Sequence, residues 1–499
     1  MEINKIYQGN SLEILKTFKE NSIDAVVTDP PYGLSDHKES KIRETLQRWL
    51  NDDDDFVPDG KGFMGKEWDA FVPPPALWKE IYRVMKPGAH ILCFAGTRSV
   101  DLMSLSLRLA GFEIRDTLVW LYGSGFPKSL NIGKAVDKLL GNKRKIIGKN
   151  LNHGTLKETN CMIGEPHTGD GMLTRGNTQW EGWGTSLKPA IEPIILARKP
   201  LSEKNVAENV LKWGTSGLNI DVCKIGNEII PAHKRGKAVN TNFMSGGFTP
   251  EHQGRFPSNF IIQCTCDEVI EGKERPPRIG RKGGHKGSFG SWAGSTADSI
   301  GRWPADKQII HTNPNCPCYL LDQQSGLSKS RPDYRTNEIK KSTVYFANKR
   351  QPNLLNDEGG ASRFFKQITF EPEDYLPFYY CSKASKSERN MGLEELPLKE
   401  AGGMQGRNDG SFDGKITYNQ NHHPTVKPVR LCQYLVKLIT PPNGIVLDPF
   451  AGSGSTLIAC KKLGFNFIGI ELNPEYVLIA EKRLQAIDPN LFNEVNNGA

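Results

Sequence analysis

The stretch Gly444-Ile445-Val446-Leu447-Asp448-Pro449-Phe450-Ala451-Gly452-Ser453-Gly454-Ser455-Thr456 decides how this chain is read. Its apolar start predicts a strand, the proline after Asp448 ends that strand, and two glycines lead into a helix expected over 455–463. Glycine at 452 and 454 lets a ligand approach the backbone at the turn, although close strand-to-helix packing would ask for the same residues. The dinucleotide fingerprint needs a third glycine, and position 457 is Leu457, so a pyrophosphate cofactor is disfavoured. Seventeen residues past Gly454, at the end of a strand expected over 467–470, Glu471 is placed to accept both hydroxyl protons of a ribose.

A glycine turn followed by an acidic ribose ligand fits a nucleoside cofactor without phosphates, and S-adenosylmethionine is of that kind. Outward from this turn the rhythm continues, with a helix running through Leu438 before it and another expected over 474–486 after it. The other end of the chain repeats the alternation. Strands are expected over 3–7, 23–28, 89–94 and 112–121, and helices over 11–18, 76–85 and 98–110, with Lys86-Pro87-Gly88 as a helix stop. Ser11 is followed three residues later by Ile14, so the first helix shows only part of a capping box. Alternation of this kind is the mark of an α/β fold whose mostly parallel sheet is flanked by helices.

At the amino-terminal end, Asp29-Pro30-Pro31-Tyr32 follows the apolar run Ile23-Asp24-Ala25-Val26-Val27-Thr28. Two prolines fix their own φ, remove two backbone donors and hold the preceding residue extended, so the strand must end in a stiff turn. Ligands of open α/β sheets bind at the carboxyl ends of strands. A carboxylate, rigid carbonyls and an aromatic ring presented there suit a planar base with an exocyclic amine: Tyr32 stacks, while Asp29 and the Pro30 carbonyl each accept an amino hydrogen. Alone, the four residues would also fit a tight turn with a surface tyrosine.

At this point the two motifs together resemble the amino DNA methyltransferases of the beta arrangement, in which the target-base motif precedes the cofactor motif. Further stretches match phage and prophage members: Gly123 to Lys128, Leu187-Lys188-Pro189 with Glu192-Pro193, and Ala361 to Phe365. The resemblance implies a doubly wound Rossmann-like sheet with a large inserted target-recognition region. Its divisions are a catalytic half over 1–122, the insert over 123–420, a cofactor-binding half over 421–487 and a tail over 488–499. It assigns Asp29, Pro30, Pro31 and Tyr32 to the target base, and Asp448, Phe450, Gly452, Gly454 and Glu471 to the cofactor. Thr425 and Lys427, within His423-Pro424-Thr425-Val426-Lys427-Pro428, match the segment that helps bind the cofactor's methionine part. Gln8-Gly9-Asn10 matches a segment that contacts the cofactor adenine and usually reads Gly-Asp, with Asn10 in the aspartate's place.

The activity implied is direct methyl transfer from S-adenosylmethionine to the N(6) of an adenine flipped out of DNA. Aspartate at the first motif position favours adenine, and cytosine N(4) is the alternative. A rival of another class, a catalytically silent DNA-binding protein on the same fold, would show damage to one motif, and both are intact. No nuclease motif accompanies them, so a separate modification enzyme is expected rather than a combined restriction enzyme. The partner expected is double-stranded DNA, with a homodimer left open.

Composition agrees with this class and excludes others. The 499 residues are 37% apolar and 24% charged, with 50 glycines and 32 prolines, which is soluble-protein composition with much loop. No apolar run approaches the ~20 residues that cross a bilayer, and the start lacks the apolar core of a secretion signal; a cytoplasmic, membrane-free protein is expected. The net charge of +8 suits a polyanionic partner but would also serve solubility alone. In the middle, seven glycines between Gly280 and Gly301 stand among Arg278, Arg281, Lys282, Lys286 and Arg302, with Trp292 interleaved. That loop is a candidate DNA contact, or else a solvated insert. Cys264 and Cys266, with Cys316 and Cys318, could close a tetrahedral structural zinc site at its base; buried free thiols are the alternative. The acidic run Asp52 to Asp55 reads as a solvated turn.

Overall fold

A computed structural model describes residues 1–35, 37–60, 67–122, 129–149, 172–187, 189–230, 233–234, 248–249, 252–263, 269–274, 307–311, 319, 328–329, 358–359, 366–368, 384, 386–401 and 417–487. The chain divides into two compact units, one of residues 1–222 with 380–499 and the other of residues 223–379.

The first unit is a sheet assembled from both chain ends. Its amino-terminal elements are β1 (Lys5–Gln8), α1 (Ser11–Lys16), β2 (Ile23–Thr28), α2 (Glu39–Leu50), α3 (Pro75–Val84), β3 (Met85–Phe94), α4 (Val100–Leu109), β4 (Glu113–Leu121), α5 (Ile132–Leu140), β5 (Lys145–Lys149), β6 (Met172–Arg175), β7 (Ile191–Arg198) and α6 (Val206–Trp213). Its carboxyl-terminal elements are α7 (Val429–Ile439), β8 (Ile445–Asp448), α8 (Ser455–Leu463), β9 (Asn466–Glu471) and α9 (Pro474–Gln485). The strand order is β1-β9-β8-β2-β3-β7-β4. Every pair from β1 to β3 is parallel, and β7 runs antiparallel to both of its neighbours. The fold is therefore α/β with a mostly parallel, doubly wound sheet.

Burial explains why these strands read as nearly continuous apolar runs. All six residues of β2 are buried, as expected for a strand covered on both faces by helices. Val26, Ile91, Ile195, Leu447 and Ile468, from five strands, have no exposed surface. On α3, Leu77, Trp78, Ile81 and Val84 form one helical stripe against that core, and the Trp78 indole donates to the Pro73 carbonyl at 3.2 Å.

Several expectations need correction. The insert expected over 123–420 contains β7, which is a strand of the main sheet, and residues 199–222 and 380–420 also belong to the first unit. Weak periodicity hid β7, because a reversed strand reached through a long excursion breaks the strand-helix rhythm. The helix over 76–85 ends at Val84, since Met85 is already extended (ψ 142°), and Lys86-Pro87-Gly88 lies within β3. The register there shifts from Ile23↔Met85 to Ala25↔His90, with Gly88 at φ +79°, so the three residues make a bulge rather than a helix stop. The cap of α1 is Asn10, whose side chain accepts from the amides of Leu12 at 2.9 Å and Glu13 at 3.4 Å. The acidic run is the solvated turn expected of it, with Asp52 and Asp55 exposed, Asp53 bonded to Arg48 at 2.5 Å and Asp54 paired with Lys79 of α3.

In the second unit, Phe260–Gln263 and Lys366–Ile368 pair in parallel, and Val269–Glu274 pairs antiparallel with Lys307–His311. Arg278, Arg281, Lys282, Lys286, Trp292 and Arg302, and the thiols of Cys264, Cys266, Cys316 and Cys318, lie outside the described residues. No helix among the described residues is long and apolar enough to cross a membrane.

Candidate active site

The chain runs outward from β8 to β9 on one side and from β2 to β3 on the other, so the sheet reverses its winding between β2 and β8. A crevice forms at such a switch point, beyond the carboxyl ends of its strands. Asp29 immediately follows β2, and Asp448 ends β8. The hydroxyl of Thr28 donates to Asp448 Oδ1 at 2.8 Å in a buried bond between the two strand ends, which are 420 residues apart in sequence. A separate 660 Å³ depression lined by Asn4, Phe465 and Gln485 sits by the amino ends of β1 and β9, away from both motifs.

On the β2 side the target motif is held by side chains. The Tyr32 and Gly33 amides donate to buried Asp69 at 2.8 and 3.0 Å, and the Ser99 hydroxyl donates to the Tyr32 carbonyl at 2.6 Å. The Tyr32 hydroxyl donates to Asp29 Oδ1 at 2.8 Å and also lies 3.2 Å from Glu192 Oε2. Lys427 reaches in from the other end of the chain: its ammonium is 2.6 Å from Asp29 Oδ2, 3.3 Å from Glu192 and 5.0 Å from the Phe94 ring centroid. Burial raises the Tyr32 phenol well above its ordinary pKa, and the charges of Asp29 and Glu192 add to the rise, so it stays a neutral donor. Burial works against the Lys427 charge, but the two carboxylates outweigh it and the net shift is upward.

On the β8 side the cofactor motif is held mainly by backbone. Gly452 has φ +51° and Gly454 φ +81°, a region that side chains disfavour. A Cβ on Gly454 would stand 3.0 Å from that of Ala480 on α9, and one on Gly452 would stand 2.7 Å from the His423 ring. The Gly452 amide donates to Glu471 Oε2 and the Asn473 amide to Oε1, both at 2.8 Å. The Leu472 amide acts on the same carboxylate, and the acceptor capacity that remains can take a ribose hydroxyl. Burial raises the Glu471 pKa despite these amides. Asp448, 2% exposed, is pushed up to about 7 by burial, with bonds from Thr28 and Phe450 opposing the rise. Buried Arg483 supports the turn from beneath, donating to the Ser453 carbonyl at 2.5 Å. The Ser455 hydroxyl, at the first turn of α8, is buried with no hydrogen-bond partner among the described residues.

Asn10 lies at the end of β1 beside this rim, where the Gly9 amide donates to the Glu471 carbonyl at 2.9 Å. Thr425 is joined through its amide to His423 Nδ1 at 3.3 Å. His423, pushed down to about 3 first by burial and then by Arg389 and Lys427, stays neutral. Leu457, in the place of the missing third glycine, packs over Gly469 of β9: a Cβ there would fall 2.5 Å from Leu457 Cδ1. The glycine that permits close helix-strand packing thus stands on the strand.

Sequence reading grouped Lys427 with the cofactor segment, whereas its ammonium sits on the target motif. It missed Asp69, Ser99 and Arg483 entirely. It quoted Glu192 without a role, although a carboxylate opening the apolar run of β7 is the kind of misfit that marks a site.

Residues 322–482, about a third of the chain, match the N(6)/N(4) methylase family model described as DNA methylase. The type II methyltransferase M2.DpnII of Streptococcus pneumoniae is 43% identical over 77 residues, 15% of this chain and 29% of that protein. M.Cfr9I of Citrobacter freundii is 31% identical over 147 residues, 28% of this chain and 42% of that one. The chain spans less than half the length of each of these curated relatives. The crystal structure of the M1.HpyAVI–SAM complex is 12% identical and aligns over 96% of this chain and 98% of its own, with a TM-score of 0.29.

Proposed function

We propose that this protein is an S-adenosylmethionine-dependent DNA methyltransferase that modifies the exocyclic N(6) of an adenine flipped out of the duplex. The observation that carries the reading is the parallel pairing of β2 with β8 at the switch point, with Thr28 bonded to Asp448, so that the Asp29–Tyr32 motif and the glycine turn both leave the sheet at the same rim. The residues present suit the cofactor: Glu471 retains acceptor capacity for a ribose, and the orphaned Ser455 hydroxyl lies at the start of α8 beside the glycine turn. When bound, S-adenosylmethionine supplies an electrophilic methyl group.

The chain's own residues have three tasks. Tyr32 stacks on the extruded base, which costs a few kcal/mol to remove from the duplex. Asp29 and the Pro30 carbonyl accept hydrogen bonds from the amine, drawing its lone pair out of the ring and stabilising positive charge as it develops. Both Asp29 oxygens are engaged without substrate, one by Tyr32 and one by Lys427. Base entry therefore exchanges the phenol on Oδ1 for the amine, and Glu192, already 3.2 Å from that phenol, keeps an acceptor for it.

Adenine is preferred over cytosine because aspartate leads the target motif. The test is to incubate the protein with unmethylated DNA and methyl-labelled cofactor, digest the DNA and identify the nucleoside by mass spectrometry. N(6)-methyladenine is expected. N(4)-methylcytosine would overturn the base assignment, and unlabelled DNA would overturn the activity.

A further inference from the structure

We propose that the small module built from residues 129–149 and 172–187 grips the phosphate backbone of DNA beside the extruded base. This inference rests on the methyltransferase reading above and names a surface that serves it.

The module is anchored at the site. The chain leaves the sheet after β4 and re-enters at β7, and the two stems are joined by the Tyr122 amide donating to the Ala190 carbonyl at 2.9 Å. Two residues beyond Ala190 is Glu192, on the Tyr32 hydroxyl. Whatever the module grips is therefore held close to the target tyrosine.

The stretch 129–187 holds eight basic and five acidic side chains, and seven of the basic ones stand in the 37 described residues beside only two acids, Asp137 and Glu181. One arginine consumes both acids: Arg144 pairs with Asp137 and bonds Glu181 at 2.8 and 2.9 Å, fastening α5 to the β5–β6 ladder. Lys138, Lys143, Lys145 and Arg175 are exposed, and among the described residues none has a carboxylate partner. Lys145 and Arg175 are direct cross-strand partners in that ladder. Like charges so placed repel, and the repulsion is relieved by an anion bound at the pair. Beside Glu181, Trp180 and Trp183 meet edge to face at 5.3 Å and remain 38% and 57% exposed. Cations without counter-charges next to exposed aromatic rings suit a nucleic acid, whose phosphates take the charge and whose sugars and bases take the rings.

The test uses the full chain and a fluorescent duplex, with anisotropy read from 50 to 200 mM salt. The triple variant Lys138→Gln/Lys145→Gln/Arg175→Gln is expected to weaken binding on the order of tenfold or more. Its slope of log affinity against log salt should be shallower by about 0.9 for each phosphate that the variant no longer neutralises. Trp183→Ala is expected to weaken binding about fivefold or more, with Trp183→Phe restoring most of it. Thermal melting and cofactor titration should match wild type, since the replaced side chains are exposed. If wild type methylates DNA and the triple variant binds with unchanged affinity and slope, the module is not the grip, and the methyltransferase reading stands. If wild type transfers no methyl group, that reading falls and this inference with it.

Discussion

The two rims of the crevice are built by opposite means. Beyond β2, the Asp29–Tyr32 motif is set by side chains brought from far along the chain: Asp69, Ser99, Glu192 and Lys427. Beyond β8, the turn is set by backbone conformation at Gly452 and Gly454 and by amides bonded to Glu471. A site that must receive an exchangeable base gains from polar partners that can be swapped one for another. On the proposed reading, the β8 rim binds and releases its cofactor at each turnover through backbone groups that keep their positions. Substitutions at the two rims should therefore fail differently.

The largest effect is expected at the β2 rim. Asp29→Ala should reduce single-turnover transfer by at least about 10²- to 10³-fold, the scale seen when a group that stabilises transition-state charge is removed. Near-normal labelling of DNA would break the contrast between the rims. Lys427→Met comes next, since it leaves two neighbouring carboxylates without their cation, and breaking a buried pair costs about 3–5 kcal/mol. Chemical denaturation should show that loss, and an unchanged midpoint would mean the ammonium does not hold the rim together.

At the β8 rim, Gly454→Val should cost about 1–3 kcal/mol from its left-handed φ alone, and more from contact with Ala480. Gly452→Ala meets the His423 ring instead, so adding His423→Ala should recover part of its loss, measured as a double-mutant cycle. Simple additivity would place the obstruction elsewhere.

A pH dependence of stability is also expected at this rim. The Asp448 carboxyl has its folded-state pKa raised from 3.8 to about 7 by burial, so the folded chain keeps a proton that the unfolded chain releases. Its contribution to stability is therefore greatest at acid pH and is lost as pH rises through about 7. Asp448→Asn, which keeps an acceptor for Thr28 and Phe450, should flatten that part of the stability curve; an identical pH profile would remove Asp448 as its source.

How far the sequence could be read follows the same division. Gly452, Gly454 and Glu471 lie within 20 residues, and their spacing alone indicated a strand, a turn and a second strand. Strand Ile23–Thr28 and helix Ser455–Leu463 have the bounds expected of them, because apolar runs and glycine stops are local signals. Lys427 stands 398 residues from Asp29, and no periodicity reports that they touch. Helix Glu39–Leu50 was missed although Ile42, Leu46 and Trp49 recur at helical spacing and pack on the core, because that stripe is narrow and set among charged residues. Strand β7 was missed because its place between β3 and β4 is a matter of topology, which local pattern does not record.

The division of labour between the rims is tested most directly by calorimetric titration of S-adenosylmethionine into wild type, Asp29→Ala and Glu471→Ala. The account predicts that Asp29→Ala binds the cofactor as wild type does and that Glu471→Ala binds it at least about tenfold more weakly, the scale of a charge-assisted hydrogen bond. Loss of cofactor binding in Asp29→Ala, or full binding in Glu471→Ala, would contradict it.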